Sequence, residues 1–215
     1  GFHLEDGKIS IPEKKREMVQ TIPIPTSRQQ LIKMFFALSY FRKFIYNFGE
    51  ITSTLRPLLS PKEKFIMTEE RIKAFEDLKL AVANSMELHS PDWRLPFRLY
   101  SDASSKAMGN ILTQIDPRDN MEYPISLQSR AFTKTEAHKC TFEKEAISLH
   151  QGLQYNRQTI LGAKIEAFVD ARALLFLRLM NTSSQYVRMA IAISEFDITI
   201  QHVAGPDNVV ADALS

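Results

Sequence analysis

Four acidic residues in this 215-residue chain, Asp102, Glu145, Asp170 and Asp212, each sit at the end of an apolar element or beside one. Asp102 closes the run Leu99-Tyr100-Ser101, and Asp170 closes Ala167-Phe168-Val169. Glu145 falls in an expected helix, and Asp212 lies within Val209-Val210-Ala211-Asp212-Ala213-Leu214. A carboxylate beside a buried strand is costly unless its charge is compensated. A divalent cation compensates it, and three or four convergent carboxylates form the oxygen-rich site that Mg²⁺ or Mn²⁺ prefers. Two such ions about 3.5–4 Å apart can activate a water and stabilise the leaving oxygen in phosphodiester hydrolysis. Each acid also has a plain structural reading. Asp102 could cap a turn through Ser104 or Ser105, Asp170 could cap a helix starting at Ala171, and Asp212 could be a solvated helix residue. Spacing alone leaves both readings open.

A second group is cationic and aromatic. Arg42 and Lys43 stand between Tyr40, Phe41, Phe44 and Ile45. Phosphate contacts need such cations, and aromatic neighbours can pack on sugars or bases. The same pattern also describes an amphipathic helix with an apolar core face and solvated cations. The lone Trp93 reads as packing at a domain junction.

The elements that must position these residues follow from patterning. Residues 1–11 read as a hairpin around Glu5-Asp6-Gly7-Lys8, and Pro12 opens a helix over Glu13 to Val19. Thr26 or Ser27 caps a helix whose apolar face is Leu31, Met34, Phe35, Leu38, Phe41 and Ile45, with Gly49 as its stop. Thr68 caps another, carrying Ile72, Phe75, Leu78 and Val82, so residues 13–85 read as a helical bundle. Near Ser90-Pro91-Asp92 the texture becomes strand-like. Phe97–Ser101, Ala107–Ile115 and Tyr123–Ser129 form a meander whose second hairpin turns at residues 116–120. A helix over Thr141–Tyr155 and a strand over Lys164–Asp170 follow. Helices over Ala171–Met180 and Ser183–Glu195, a strand over Phe196–Val203 and a terminal helix after Pro206 complete the chain. Such an order is a mixed sheet with helices packed on it.

Composition narrows the class. Hydrophobic content is 44% and charged content 24%, ample for a packed core, and the formal net charge is +2. Lys and Arg outnumber Asp and Glu 14 to 10 in residues 1–86 and are outnumbered 13 to 15 afterwards, so only the first part is mildly basic. The single cysteine, Cys140, excludes an internal disulfide and argues against a cysteine zinc site. With no membrane-length apolar run and no signal peptide, an intracellular setting is expected. The start at Gly1 and the stop at Ser215 read as cuts in a longer polyprotein.

These stretches, taken in order, resemble the reverse transcriptase of gypsy-like LTR retrotransposon Pol polyproteins, in its thumb or connection region plus RNase H domain. The first part carries Gly1-Phe2-His3-Leu4, Pro25-Thr26-Ser27-Arg28-Gln29-Gln30-Leu31, Tyr40-Phe41-Arg42-Lys43-Phe44-Ile45 and Ala74-Phe75-Glu76-Asp77-Leu78-Lys79. The more specific second part carries Ser101-Asp102-Ala103-Ser104, Gly109-Asn110-Ile111-Leu112, Thr141-Phe142-Glu143-Lys144-Glu145-Ala146, Val169-Asp170 and Asn208-Val209-Val210-Ala211-Asp212-Ala213-Leu214-Ser215.

The resemblance implies an α/β fold: a small helical region over residues 1–90, then an RNase H-like mixed five-stranded sheet with packed helices over 91–215. It places the catalytic, metal-holding acids at Asp102, Glu145, Asp170 and Asp212, with two Mg²⁺ or Mn²⁺ ions as cofactor. Periodicity does not choose between Glu143 and Glu145; the family pattern favours the second, with Glu143 as fallback. The implied reaction is hydrolysis of the RNA strand of an RNA–DNA hybrid. Tyr40, Arg42, Lys43, Ser104 and Asn208 are its candidate nucleic-acid contacts. The partners implied are the hybrid, the fingers and palm of the same polyprotein, and a second copy of the chain as a homodimer, but no membrane. Two departures stand out. Ala171 follows Asp170 where many relatives have His, and no His follows His202 to act as the loop histidine near the last acid. His202 itself reads as a strand-end hydrogen-bonding residue. No adjacent Asp-Asp pair of the polymerase type is present, so DNA synthesis is not expected of this chain. A catalytically inactive or host-adopted scaffold of the same fold is the competing reading.

Overall fold

The computed structural model describes residues 1–169 and 184–202. Asp170, Asn208 and Asp212, the helix expected over Ala171–Met180 and the terminal helix lie outside these residues. The chain opens with a hairpin of β1 (His3–Glu5) and β2 (Lys8–Ser10). Asp6 and Gly7 at its tip both have positive φ, 48° and 75°, as a two-residue turn matched to strand twist requires. A two-residue strand, β3 (Leu88–His89), pairs with β2, so the end of the helical part returns to its beginning.

Between them lie α1 (Glu13–Gln20), α2 (Arg28–Ser39), α3 (Phe48–Ile51) and α4 (Glu69–Ala83). Ser27 caps α2 by accepting from the Gln30 N–H, and Thr68 caps α4 by accepting from the Arg71 N–H. The helix expected to run on to Gly49 instead ends at Ser39. A 3₁₀ turn over Arg42–Phe44 and the short α3 replace its second half. Phe41, Phe44 and Ile45 are still buried, so the apolar pattern reported burial correctly and conformation wrongly. Gly49 is no helix stop either. It lies inside α3, where a Cβ would come within 2.6–2.8 Å of the Arg130–Ala131 backbone. Its value is close approach to a strand.

That strand belongs to a five-stranded sheet ordered β6-β5-β4-β7-β8. Its members are β4 (Phe97–Ala103), β5 (Ala107–Asp116), β6 (Met121–Ala131), β7 (Lys164–Val169) and β8 (Asp197–His202). The meander β4-β5-β6 is antiparallel, whereas β7 and β8 run parallel to β4. Pro124 is tolerated because β6 is an edge strand, and the β5–β6 register skips Ile125 beside it. Helices α5 (Lys134–Ala137), α6 (Thr141–Tyr155), α7 (Arg157–Ile160) and α8 (Ser184–Ser194) complete the described elements.

Alternation along the strands divides the core between the two faces of the sheet. Phe97, Leu99, Met108 and Leu112 pack with Ala146, Leu149 and Leu153 of α6. Tyr100, Ile111 and Leu127 point the other way, into a cluster with Leu31, Phe44, Phe48, Phe75 and Leu78. The helical part therefore seals one face of the sheet. Trp93 does not pack at the junction as expected. It is 68% exposed, and its indole N–H donates to the Thr159 carbonyl at 3.1 Å.

Candidate active site at the C-terminal end of the sheet

Parallel strands deliver their C-terminal ends to one edge. In open α/β sheets that edge is where ligands bind. Here it is the edge reached by Asp102 of β4, Val169 of β7 and His202 of β8. Asp102 is exposed, one residue before the end of its strand. Asp170 follows Val169 directly in sequence and lies outside the described residues.

Glu145 is in the second turn of α6 and is 5% exposed. Its neighbours on the helix tie α6 to the Asp102 strand end. The Lys144 ammonium donates to the Ser105 carbonyl at 3.2 Å. The fully buried Ser148 hydroxyl lies 2.9 Å from the Asp102 carbonyl and 3.4 Å from the Gly109 carbonyl. Residues 144 and 148 are one turn apart and flank Glu145. The turn carrying one candidate carboxylate is thus tied to the backbone carrying the other. Gly152, one turn further, lets α6 settle on the sheet, since a Cβ there would meet the Asn110 amide at 2.4–2.6 Å.

Glu143 has a different task. Its carboxylate accepts from the Cys140 N–H at 3.1 Å and pairs with Lys139 at 3.3 Å, which closes the N-terminus of α6. Burial pushes the Glu143 carboxyl up, but hydrogen bonds from Cys140 and Lys139 outweigh it and hold it below the usual carboxylate range. A capping box of the same kind starts α5, between Thr133 and Glu136. Among the described residues, no three His, Cys, Asp or Glu side chains group closely enough to hold a metal ion.

Ser104 shapes the β4–β5 connection. Its hydroxyl oxygen accepts from the Lys106 and Ala107 N–H groups at 3.2 and 3.0 Å. It also lines a small cleft with Asp102, Tyr46, Asn47 and Glu50, so β4 and the helical part share that space.

The cationic and aromatic group lies on the helical part. Tyr40 stacks on Phe2 with ring centroids 4.8 Å apart and keeps 54% of its surface exposed. The Lys43 ammonium sits 3.9 Å from the Phe2 ring centroid, and burial lowers its pKa. Arg42 is exposed. Sequence reading missed Arg56. Its pKa is lowered by burial and then by the nearby charges of Arg42 and Arg130. Arg56 thus feels the charges of Arg42 and Arg130 where the helical part meets the sheet, with Arg130 paired to Glu136 at 2.8 Å. Only the folded arrangement shows this, because the residues are far apart in sequence.

A family model for the RNase H-like domain found in reverse transcriptase matches residues 67–167. The chain is 33% identical over 216 residues to the retrovirus-related Pol polyprotein from transposon 412 of Drosophila melanogaster, covering all of this chain and 17% of the relative. It is 31% identical over 228 residues to the corresponding polyprotein from transposon opus of the same organism, again over the whole chain and 22% of the relative. The chain thus spans about a fifth of the length of these curated relatives. Among solved structures, it resembles the foamy viral protease-reverse transcriptase in complex with RNA/DNA hybrid. The TM-score is 0.77 at 22% identity, covering 95% of this chain and 28% of that one. The same viral protein in complex with dsDNA gives a TM-score of 0.75 at 21% identity, over 95% of this chain and 45% of that one. The sheet order, the family match and relatives aligned from end to end agree, and the chain belongs to the retrovirus-related Pol polyproteins of LTR retrotransposons, of which it carries the reverse transcriptase RNase H-like domain.

Proposed function

We propose that this chain hydrolyses the RNA strand of RNA–DNA hybrids, with residues 91–215 forming the ribonuclease and residues 1–90 gripping the hybrid. The observation that carries this reading is the tether from α6 to β4. Lys144 and Ser148 tie the helix that carries the buried Glu145 to the strand end that carries Asp102. A scaffold would have no use for a carboxylate buried on that helix.

Asp102, Glu145, Asp170 and Asp212 are the residues that would hold two Mg²⁺ or Mn²⁺ ions. The donor chemistry fits, since all four offer hard carboxylate oxygens. Bound there, the ions would supply the Lewis acidity that phosphodiester hydrolysis needs. The chain's own contribution is placement. Ser148 fixes the Asp102 backbone, Lys144 fixes the loop after it, and Glu143 holds the start of the helix that presents Glu145. On the helical part, Arg42, Lys43 and Tyr40 are the proposed grip. The proximity of Arg56 to Arg42 supports it, because neighbouring like charges favour a polyanion. Ser104 and Asn208 complete the proposed contacts, and the fingers and palm of the same polyprotein would deliver the hybrid.

The test is a panel of end-labelled duplexes of one sequence incubated with the chain and Mg²⁺. Cutting of the RNA strand in RNA–DNA, with RNA–RNA and DNA–DNA left intact, is expected. Equal cutting of all three, or of none, would overturn the reading.

A further inference from the structure

Asp102, Gly109 and Ser129 lie side by side across β4, β5 and β6. The segment from Tyr46 to Glu50 is laid along this row. The Tyr46 ring rests on Gly109, where a Cβ would come within 3.1–3.3 Å of the ring. The Gly49 N–H donates to the Ser129 hydroxyl at 2.8 Å, and Gly49 touches the backbone of the next two residues. One glycine in each layer thus lets the helical part come down on the strand end that carries Asp102. Asn47 and Glu50 line the cleft left between the layers.

Asn47 is the unusual member. It occupies the N-cap of α3, a position where asparagine ordinarily accepts from a helix N–H, yet its side chain makes no capping bond. Asn47 lines the cleft, and an asparagine amide carries both donor and acceptor groups. A ribose 2′-hydroxyl is likewise both donor and acceptor, and it is the group that distinguishes RNA from DNA.

We infer that Asn47 is a specificity-determining residue, its amide pairing with the 2′-hydroxyl of an RNA nucleotide whose phosphate lies at Asp102. This rests on the ribonuclease reading above. The ribonuclease site would then have a second wall, contributed by the helical part.

The experiment reads binding, so that it is independent of cleavage. Fluorescence anisotropy is measured for the whole chain bearing Asp102→Asn, with and without Asn47→Ala. The probes are an RNA–DNA hybrid and a set of hybrids with one 2′-deoxynucleotide moved along the RNA strand. With Asn47 present, one position is expected to weaken binding about tenfold. With Asn47→Ala that position should become indistinguishable from its neighbours, and Asn47→Ser, which keeps a donor and an acceptor, should restore part of the effect. The exposed side chain makes an unchanged melting temperature the expectation. The same loss at the same position in both proteins, or no sensitive position in either, would overturn the assignment. Cleavage by the chain with Asp102 intact, measured in parallel, judges the ribonuclease reading separately.

Discussion

At the scale of single residues, the proposed catalytic groups are carboxylates, and precision comes from the small polar groups behind them. Ser148 is the clearest of these. Its hydroxyl is fully buried and spans the carbonyls of Asp102 and Gly109, so Ser148→Ala leaves both without that partner. A stability loss of about 1 kcal/mol is expected, the usual net worth of such a bond. Cleavage should fall further than that loss explains, with kcat affected more than KM, because the change loosens the turn that presents Glu145. A kcat unchanged at full folding would remove Ser148 from the positioning role. Glu136 supplies a pH signature. Its carboxylate takes a two-pronged bond from Arg130 at 2.8 and 3.0 Å, which holds its pKa down to about 2 from an ordinary 4.5. A depressed folded pKa means that its stabilisation is complete above about pH 4.5 and is lost as pH falls toward about 2. Melting temperatures across that window should drop less steeply for Glu136→Gln than for the parent; identical slopes would show that the pair contributes nothing.

At the scale of elements, glycines decide how closely the layers approach. A methyl group at Gly49 would meet strand backbone at 2.6–2.8 Å, and backbone cannot step aside as a flexible side chain can. Gly49→Ala should therefore cost about 1–3 kcal/mol, the range for overpacking, seen as a lower denaturation midpoint. A neutral outcome would mean that α3 does not bear on β6 in solution. Elements were legible in the sequence where their pattern is local. The meander over Phe97–Ser129 and the helix Thr141–Tyr155 follow from period-2 and period-3.6 spacing, and Ser27 and Thr68 are capping residues by type. Less legible were features made by distant partners. The strand Leu88–His89 exists because β2 lies beside it, and α5 and α7 are four-residue turns too short to show a period. The helix ending at Ser39 was hidden because Phe41, Phe44 and Ile45 keep the burial of a helix face without its geometry. Of the candidate site, Asp102 and Glu145 were named by family pattern; Asp102 falls at the sheet edge that the parallel strands open onto, and Glu145 lies on the helix whose Ser148 is tied to the Asp102 backbone. The cleft shared with Asn47 depends on packing of the helical part against the sheet, which no sequence spacing encodes.

At the scale of the whole molecule, the two halves share a core. Tyr100, Ile111 and Leu127 of the sheet are buried among the helices of the first part. Leu127→Ala should cost about 2–5 kcal/mol, as deletion of a buried leucine side chain does. The loss should appear in one cooperative transition that includes the helical part. Two calorimetric transitions, with only the later one shifted, would show the halves to be independent. This shared core matters for function because it holds Tyr46, Asn47 and Glu50 over the strand end of Asp102. On the proposed reading, a hybrid gripped by the helical part would be in fixed register with the carboxylates that would cut it.

The most direct measurement is Mg²⁺-dependent release of labelled fragments from the RNA strand of a hybrid, compared for the parent chain, Asp102→Asn and Asp116→Asn. Asp116 lies at the far end of β5 from Gly109, the register partner of Asp102, and serves as the control. Loss of cutting of about a hundredfold or more in Asp102→Asn, with the parent rate kept in Asp116→Asn, is the predicted result, on the scale typical of removing one electrostatic catalytic group. Equal rates in both variants would take Asp102 out of the site and contradict the account.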